Sequence, residues 1–158
     1  MPELKESLKP FVAEPNVSLL ATLRKDGTPH MTAVWYEYVD GVVKVPVTEG
    51  RLKYKHALRD ARVSLAIASQ GLPYRLVVFE GTALFQFEGG QDFFRRQAQR
   101  YYGEENGTKY ADYDEADSER RIILHYEPSR IIAYDFAHED DYHRPWGESR
   151  GIHWPSGG

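Results

Sequence analysis

The chain has 158 residues, a length that suits one domain and leaves little room for a second. It contains no cysteine, which excludes a thiol nucleophile, a cysteine-ligated metal or iron–sulfur centre and a disulfide framework, so any redox chemistry must come from a bound cofactor. The formal charge is −4, from 20 basic and 24 acidic residues, which does not give the broad positive footprint of a nucleic-acid binder.

The opening residues Met1-Pro2-Glu3-Leu4-Lys5-Glu6 mix both signs of charge and lack the apolar stretch of a signal peptide. No apolar run approaches the ~20 residues that span a bilayer. The expectation is a cytoplasmic protein with no membrane partner. Leu4, Leu8, Phe11 and Val12 recur at near-helical spacing and predict a short amphipathic helix over 3–14, ending near Pro15. Ser18–Leu23 reads as a buried strand, followed by turn chemistry at Lys25-Asp26-Gly27. Residues 28–39, rich in Thr, Val, Trp and Tyr, read as the next strand. Asp40-Gly41 signals a type I′ hairpin leading into Val42–Val47.

Arg51–Arg59 breaks the β rhythm and predicts a short helix with a basic side, and Val63–Ala68 resumes as a strand. Tyr74–Phe87 predicts a long strand with a bulge or sharp bend at Gly81. Gly89-Gly90 opens a helix over Gln91–Tyr102, with Phe93, Phe94, Ala98 and Tyr101 on its apolar face. The stretch 103–118 holds six acidic residues against one lysine and reads as a surface loop or short helix. Arg121–Tyr126 and Arg130–Phe136 are the last two strands. This order of strands with tight hairpins and two interposed helices fits an antiparallel barrel and not βαβ units, and no G-x-G-x-x-G follows a strand.

Residues 137–158 have little apolar periodicity and read as a tail, docked on a partner subunit or disordered, after a domain over 1–136. His138, Asp140, Asp141 and His143 match no defined metal template, so no metal is expected. Trp146 and Trp154 are large aromatics for a tail, which points to docking on a partner subunit or over a groove.

Charge concentrates at one place. Residues 51–62 carry Arg51, Lys53, Lys55, Arg59 and Arg62 against Asp60 alone, a local balance of +4 on an otherwise acidic chain. The cluster follows Thr48-Glu49-Gly50 at the start of a helix, where free backbone N–H groups and the helix dipole favour anions. Arg51 and Lys53 can both reach one anion there, and a small-molecule phosphate suits the cluster better than a polynucleotide. A solvated basic helix face is the alternative.

The segments Ala21–His30, Val34-Trp35-Tyr36, Thr48–Lys53 and Leu58–Val63, in this order, resemble the split β-barrel flavin-binding superfamily typified by pyridoxamine 5′-phosphate oxidase. Among its branches the sequence is most similar to the small reductases that use the deazaflavin coenzyme F420. Phe79–Ala83 and Glu127–Ile131 also fall on comparable strands, and the resemblance spans roughly 16–136.

The resemblance implies a mainly β fold, a six-stranded antiparallel Greek-key split barrel with small flanking helices. It further implies a homodimer with cofactor grooves at its interface, binding coenzyme F420 or, alternatively, FMN, and acting on a small-molecule substrate. On the matching positions, Arg51 and Lys53 would hold the cofactor phosphate, while Ala33, Val34 and Trp35 and the strand end Pro46, Val47 and Thr48 would flank the tricyclic ring. His30 would approach the cofactor from its strand, and Tyr74 would cover the ring or substrate of the partner subunit. Trp35 also fits a core aromatic, His30 a polar strand residue and Tyr74 a packed strand residue. One position departs from the pattern, because Ala57-Leu58 stands where many members have Asn before Leu. The implied activity is hydride transfer to a conjugated substrate, and no catalytic acid is assigned. The alternatives are an FMN-dependent oxidase or flavin reductase and a non-catalytic binder of a cofactor or haem-type ligand.

Overall fold

The computed structural model describes residues 2–116 and 119–137. The metal-like cluster at 138–143, Trp146 and Trp154 lie outside the described residues. A 3₁₀ turn at Glu6–Leu8 runs into α1 (Lys9–Ala13), whose Leu8, Phe11 and Val12 are buried. There follow β1 (Ser18–Leu23), β2 (Pro29–Val34), β3 (Glu37–Val39), β4 (Val42–Thr48), α2 (Leu52–Arg59), β5 (Arg62–Ala68), β6 (Arg75–Thr82), β7 (Leu84–Gln86), α3 (Gly90–Tyr102), α4 (Glu104–Glu115), β8 (Arg121–Tyr126) and β9 (Arg130–Asp135).

These strands form two antiparallel sheets, one of five strands in the order β2-β1-β5-β6-β9 and one of four in the order β3-β4-β8-β7. Two strands that read as continuous in sequence bend from one sheet into the other. The 28–39 stretch breaks at Trp35-Tyr36, so that β2 belongs to the first sheet and β3 to the second. The Tyr74–Phe87 stretch breaks at Ala83, dividing β6 from β7 in the same way. The expected six strands are thus nine segments in seven continuous stretches among the described residues, and the corners join two sheets into a split barrel.

Alternation along the strands fills the space between the sheets. Leu20, Leu65, Ile67, Val77 and Phe79 come from the first sheet, and Val43, Val45, Val47, Ile122, Leu124 and Tyr126 from the second. Burying each such side chain contributes roughly 1.5–3 kcal/mol. Asp40 and Gly41 have φ of 52° and 78°, both positive as a type I′ turn requires.

Gly81 corrects one expectation. The β5–β6 register runs unbroken through the Val63–Gly81 pair, so no bulge occurs there, and the bend falls two residues later. Glycine is needed because a Cβ would lie 2.5 Å from the Tyr126 ring. That ring is held in place by its hydroxyl, which donates to the Phe79 carbonyl at 2.8 Å. The acidic stretch after Gly103 is the full helix α4, packed antiparallel to α3 where Gly107 lets the backbones meet at Gln99.

β4 is paired unequally. β8 follows it from Val43 to Thr48, whereas β3 accompanies it only from Val42 to Lys44. From Val45 onward one edge of β4 has no strand beside it among the described residues. No helix among the described residues is long and apolar enough to cross a membrane.

Candidate functional site

The open edge of β4 borders a pocket of about 610 Å³, whose other walls are β2, the start of α2 and the α3–α4 hairpin. Nine of the ten expected site residues line it: His30, Ala33, Val34, Trp35, Pro46, Val47, Thr48, Arg51 and Lys53. Tyr74 is not among the lining residues; it is exposed ahead of β6, where its carbonyl accepts from the Phe136 N–H at 3.1 Å.

Cations gather at one end. Arg51 caps α2, and the Lys55 N–H returns to the Arg51 carbonyl at 3.2 Å, which leaves the first-turn amides without intrahelical partners. Arg121, at the start of β8, adds a third cation to Arg51 and Lys53. Its Nε donates to Asp114 Oδ2 at 2.8 Å, its Nη1 donates to Thr48 Oγ1, and its guanidinium lies 3.8 Å from the Phe94 ring centroid. Arg51 is exposed and has Glu119 only at 4.0 Å. Burial, together with the charges of Arg51 and Arg121, pushes the Lys53 ammonium below its ordinary 10.5. An anion among these groups would relieve that repulsion.

An aromatic cluster adjoins this end through Phe94. Trp35 stacks on Tyr101 with ring centroids 5.5 Å apart and 23° between planes, and it meets Phe94 at 5.4 Å and Tyr110 at 5.8 Å. Trp35 therefore packs in an aromatic cluster and lines the pocket at once. Tyr101 is fixed by its hydroxyl, which donates to the Asn16 carbonyl at 2.7 Å and accepts from the Tyr36 N–H at 3.2 Å. On the β2 wall, Thr32 Oγ1 and His30 Nδ1 are buried polar atoms with no partner among the described residues.

Thr32, Phe94, Tyr101, Tyr110 and Arg121 were not anticipated as site residues. Phe94 and Tyr101 belong to the apolar face of α3 and look like core on spacing alone. Arg121 follows Arg120 at a strand start, and no local signal tells which of the two turns to the pocket. Where the resemblance led to an expected Asn and the chain has Ala57, the polar link from α2 to the barrel is made by its neighbour His56, whose Nδ1 lies 3.2 Å from Thr22 Oγ1.

Two antiparallel sheets closing on a slot with a cationic end define a flavin-binding type of split-barrel protein. The pyridoxamine 5′-phosphate oxidase family model matches residues 4–134, and the chain belongs to that family. No curated protein matches the sequence. Among solved structures, an F420 reductase superposes with a TM-score of 0.65 at 24% identity, covering 84% of this chain and 98% of its own. A conserved hypothetical protein from Mycobacterium tuberculosis gives 0.68 at 23% identity, over 99% of this chain and 94% of its own. A putative pyridoxamine 5′-phosphate oxidase from Listeria innocua gives 0.59 at 12% identity, over 83% and 98%. At these identities the likeness is one of fold. The family match supports an oxidoreductase in general, and the neighbours add a likeness of fold.

Proposed function

We propose that the protein is a homodimeric oxidoreductase that binds the deazaflavin coenzyme F420 in the 610 Å³ pocket and reduces a conjugated small molecule. The observation that carries this reading is the convergence of Arg51, Lys53 and Arg121 at one end of a slot whose remaining walls are aromatic and apolar. A phosphate fits the cationic end, where burial and then the charges of Arg51 and Arg121 hold the Lys53 ammonium below its ordinary value. A flat ring fits between β2 and the β4 edge, against Ala33, Val34, Pro46 and Val47. When bound, the reduced deazaflavin supplies a hydride. The protein's own residues hold the phosphate, orient the ring and exclude water on the Trp35–Tyr101 side.

Self-association is supported by the outer face of the five-stranded sheet. Register places Ala33, Leu19, Ala66, Val78 and Ile132 in one row across all five strands, and Leu19 and Met31 are exposed there. An apolar row spanning a whole sheet favours a covering surface, and Ala33 belongs both to it and to the pocket. A second copy covering this row brings the partner's exposed Tyr74 into play as a lid.

FMN is the second reading, favoured by the family match. Fluorescence titration of purified protein with F420 and with FMN decides between them, using Arg51→Ala as the control. Saturable F420 binding weakened in Arg51→Ala supports the proposal. Binding of FMN alone turns the assignment to the rival, and binding of neither removes both. Consumption of reduced F420 with quinones and enones separates an enzyme from a carrier.

A further inference from the structure

His56 is buried on the inner side of α2 and does not line the pocket. Its Nδ1 faces Thr22 Oγ1 at 3.2 Å, and the same hydroxyl donates to the His30 carbonyl at 3.5 Å. Thr22 and His30 are also direct partners across β1 and β2. The two imidazoles meet edge to face, with centroids 5.0 Å apart and planes at 83°. His30 thus stands between the pocket and a buried, anchored histidine.

This packing distinguishes the two nitrogens of His30. Nδ1 is turned into the protein, where it has no partner among the described residues. A buried N–H without an acceptor is rarer and harder to accommodate than a buried lone pair. In the neutral ring the proton therefore belongs on Nε2, the nitrogen left to face the pocket that His30 lines.

We infer that His56 is a positioning residue: through its ring contact it holds His30 so that Nε2–H is presented to an acceptor atom of the bound cofactor or substrate. The inference rests on the reading of the pocket as a ligand site. It assigns to Thr22 and His56, neither in contact with the pocket, a part in setting ligand orientation.

The test separates the two readings. With ¹⁵N-histidine protein at pH 8 and no ligand, long-range ¹H–¹⁵N correlation reports the tautomer of His30, identified by loss of its signals in His30→Gln. The expected pattern is Nε2–H in the wild type and a mixed-tautomer pattern in His56→Leu and Thr22→Val. His56→Phe, which keeps a ring edge against His30, should return part of the wild-type pattern. If His56→Leu does not fold, Thr22→Val carries the same comparison. A wild-type Nδ1–H pattern, or an Nε2–H pattern unchanged in every folded variant, overturns the inference. In the second arm, F420 affinity by fluorescence should fall about five- to tenfold in His56→Leu, the scale of losing one aromatic contact, and recover in part in His56→Phe. Unchanged affinity overturns the link to ligand orientation. Failure of the wild type to bind F420 or FMN removes the pocket reading and that link together, while the tautomer arm still decides the positioning of His30.

Discussion

Arg121 grips the Asp114 carboxylate with two nitrogens and so ties the start of β8 to the end of α4. Both side chains are only 16% exposed. Removing the carboxylate leaves a largely buried guanidinium without its counter-charge. Asp114→Ala should lose about 2–3 kcal/mol of stability, somewhat less than a fully buried pair. Urea denaturation measures this, and a midpoint unchanged from the wild type contradicts it.

Lys53 sets a pH dependence for anion binding. Its ammonium is held below 10.5 by burial, Arg51 and Arg121, and a bound phosphate favours the charged form. Affinity for F420 should be level near neutral pH and fall as pH rises through the lowered value, beginning below 10.5. Lys53→Ala should cost about 10- to 100-fold in affinity, the scale of one charge-assisted hydrogen bond. It should also abolish the alkaline limb of the binding curve.

His56 gives the opposite limb in stability. Burial, with the charges of His30, Arg59 and Arg24, lowers its pKa from 6.5. The unfolded chain takes up a proton at a pH where the folded protein does not. The stability this group contributes is present above 6.5 and is lost as pH falls toward the lowered folded value, with a slope of at most about 1.4 kcal/mol per pH unit. Thermal melts of wild type and His56→Asn between pH 8 and 5 should diverge, the variant showing the flatter decline.

Gly81→Ala places a methyl group 2.5 Å from Tyr126 Cδ2 and 3.2 Å from the Glu127 carbonyl. Tyr126 cannot withdraw without giving up its bond to Phe79. A loss of roughly 1–3 kcal/mol is expected. A variant as stable as the wild type would show that the ring moves freely.

The apolar row predicts the oligomer. Leu19→Asp puts a charge into the row, between Ala33 and Ala66. Light scattering after size exclusion should give a dimer for the wild type and a monomer for the variant. A wild-type monomer at micromolar concentration removes the dimer from the proposed function.

Local chemistry made much of this fold readable. Asp40-Gly41 announces its turn because the two residues tolerate the positive φ found there. The basic run from Arg51 marks a cationic helix start in the sequence, and Arg51 and Lys53 do line the pocket. What escaped the sequence depends on distant parts of the chain. Gly81 reads as a bend, but its reason is a tyrosine 45 positions on, seen only once β8 lies across β6. Arg121 and Tyr110 join the pocket through the packing of α4, a helix whose acidic sequence has little apolar periodicity to reveal it. The break at Trp35-Tyr36 was hidden because a strand that changes sheets keeps the same composition throughout.

The unequal pairing of β4 bears on why the barrel does not seal. An edge of free backbone groups attracts any extended segment within reach, and a slot bounded by such an edge tends to zip shut or to recruit a neighbouring chain. Pro46 stands on that stretch, just beyond the last β3 pair at Lys44, and has no N–H to offer. One residue thereby makes a poor template of the strand that walls the pocket, and keeps vacant for a small molecule a space that backbone could otherwise claim.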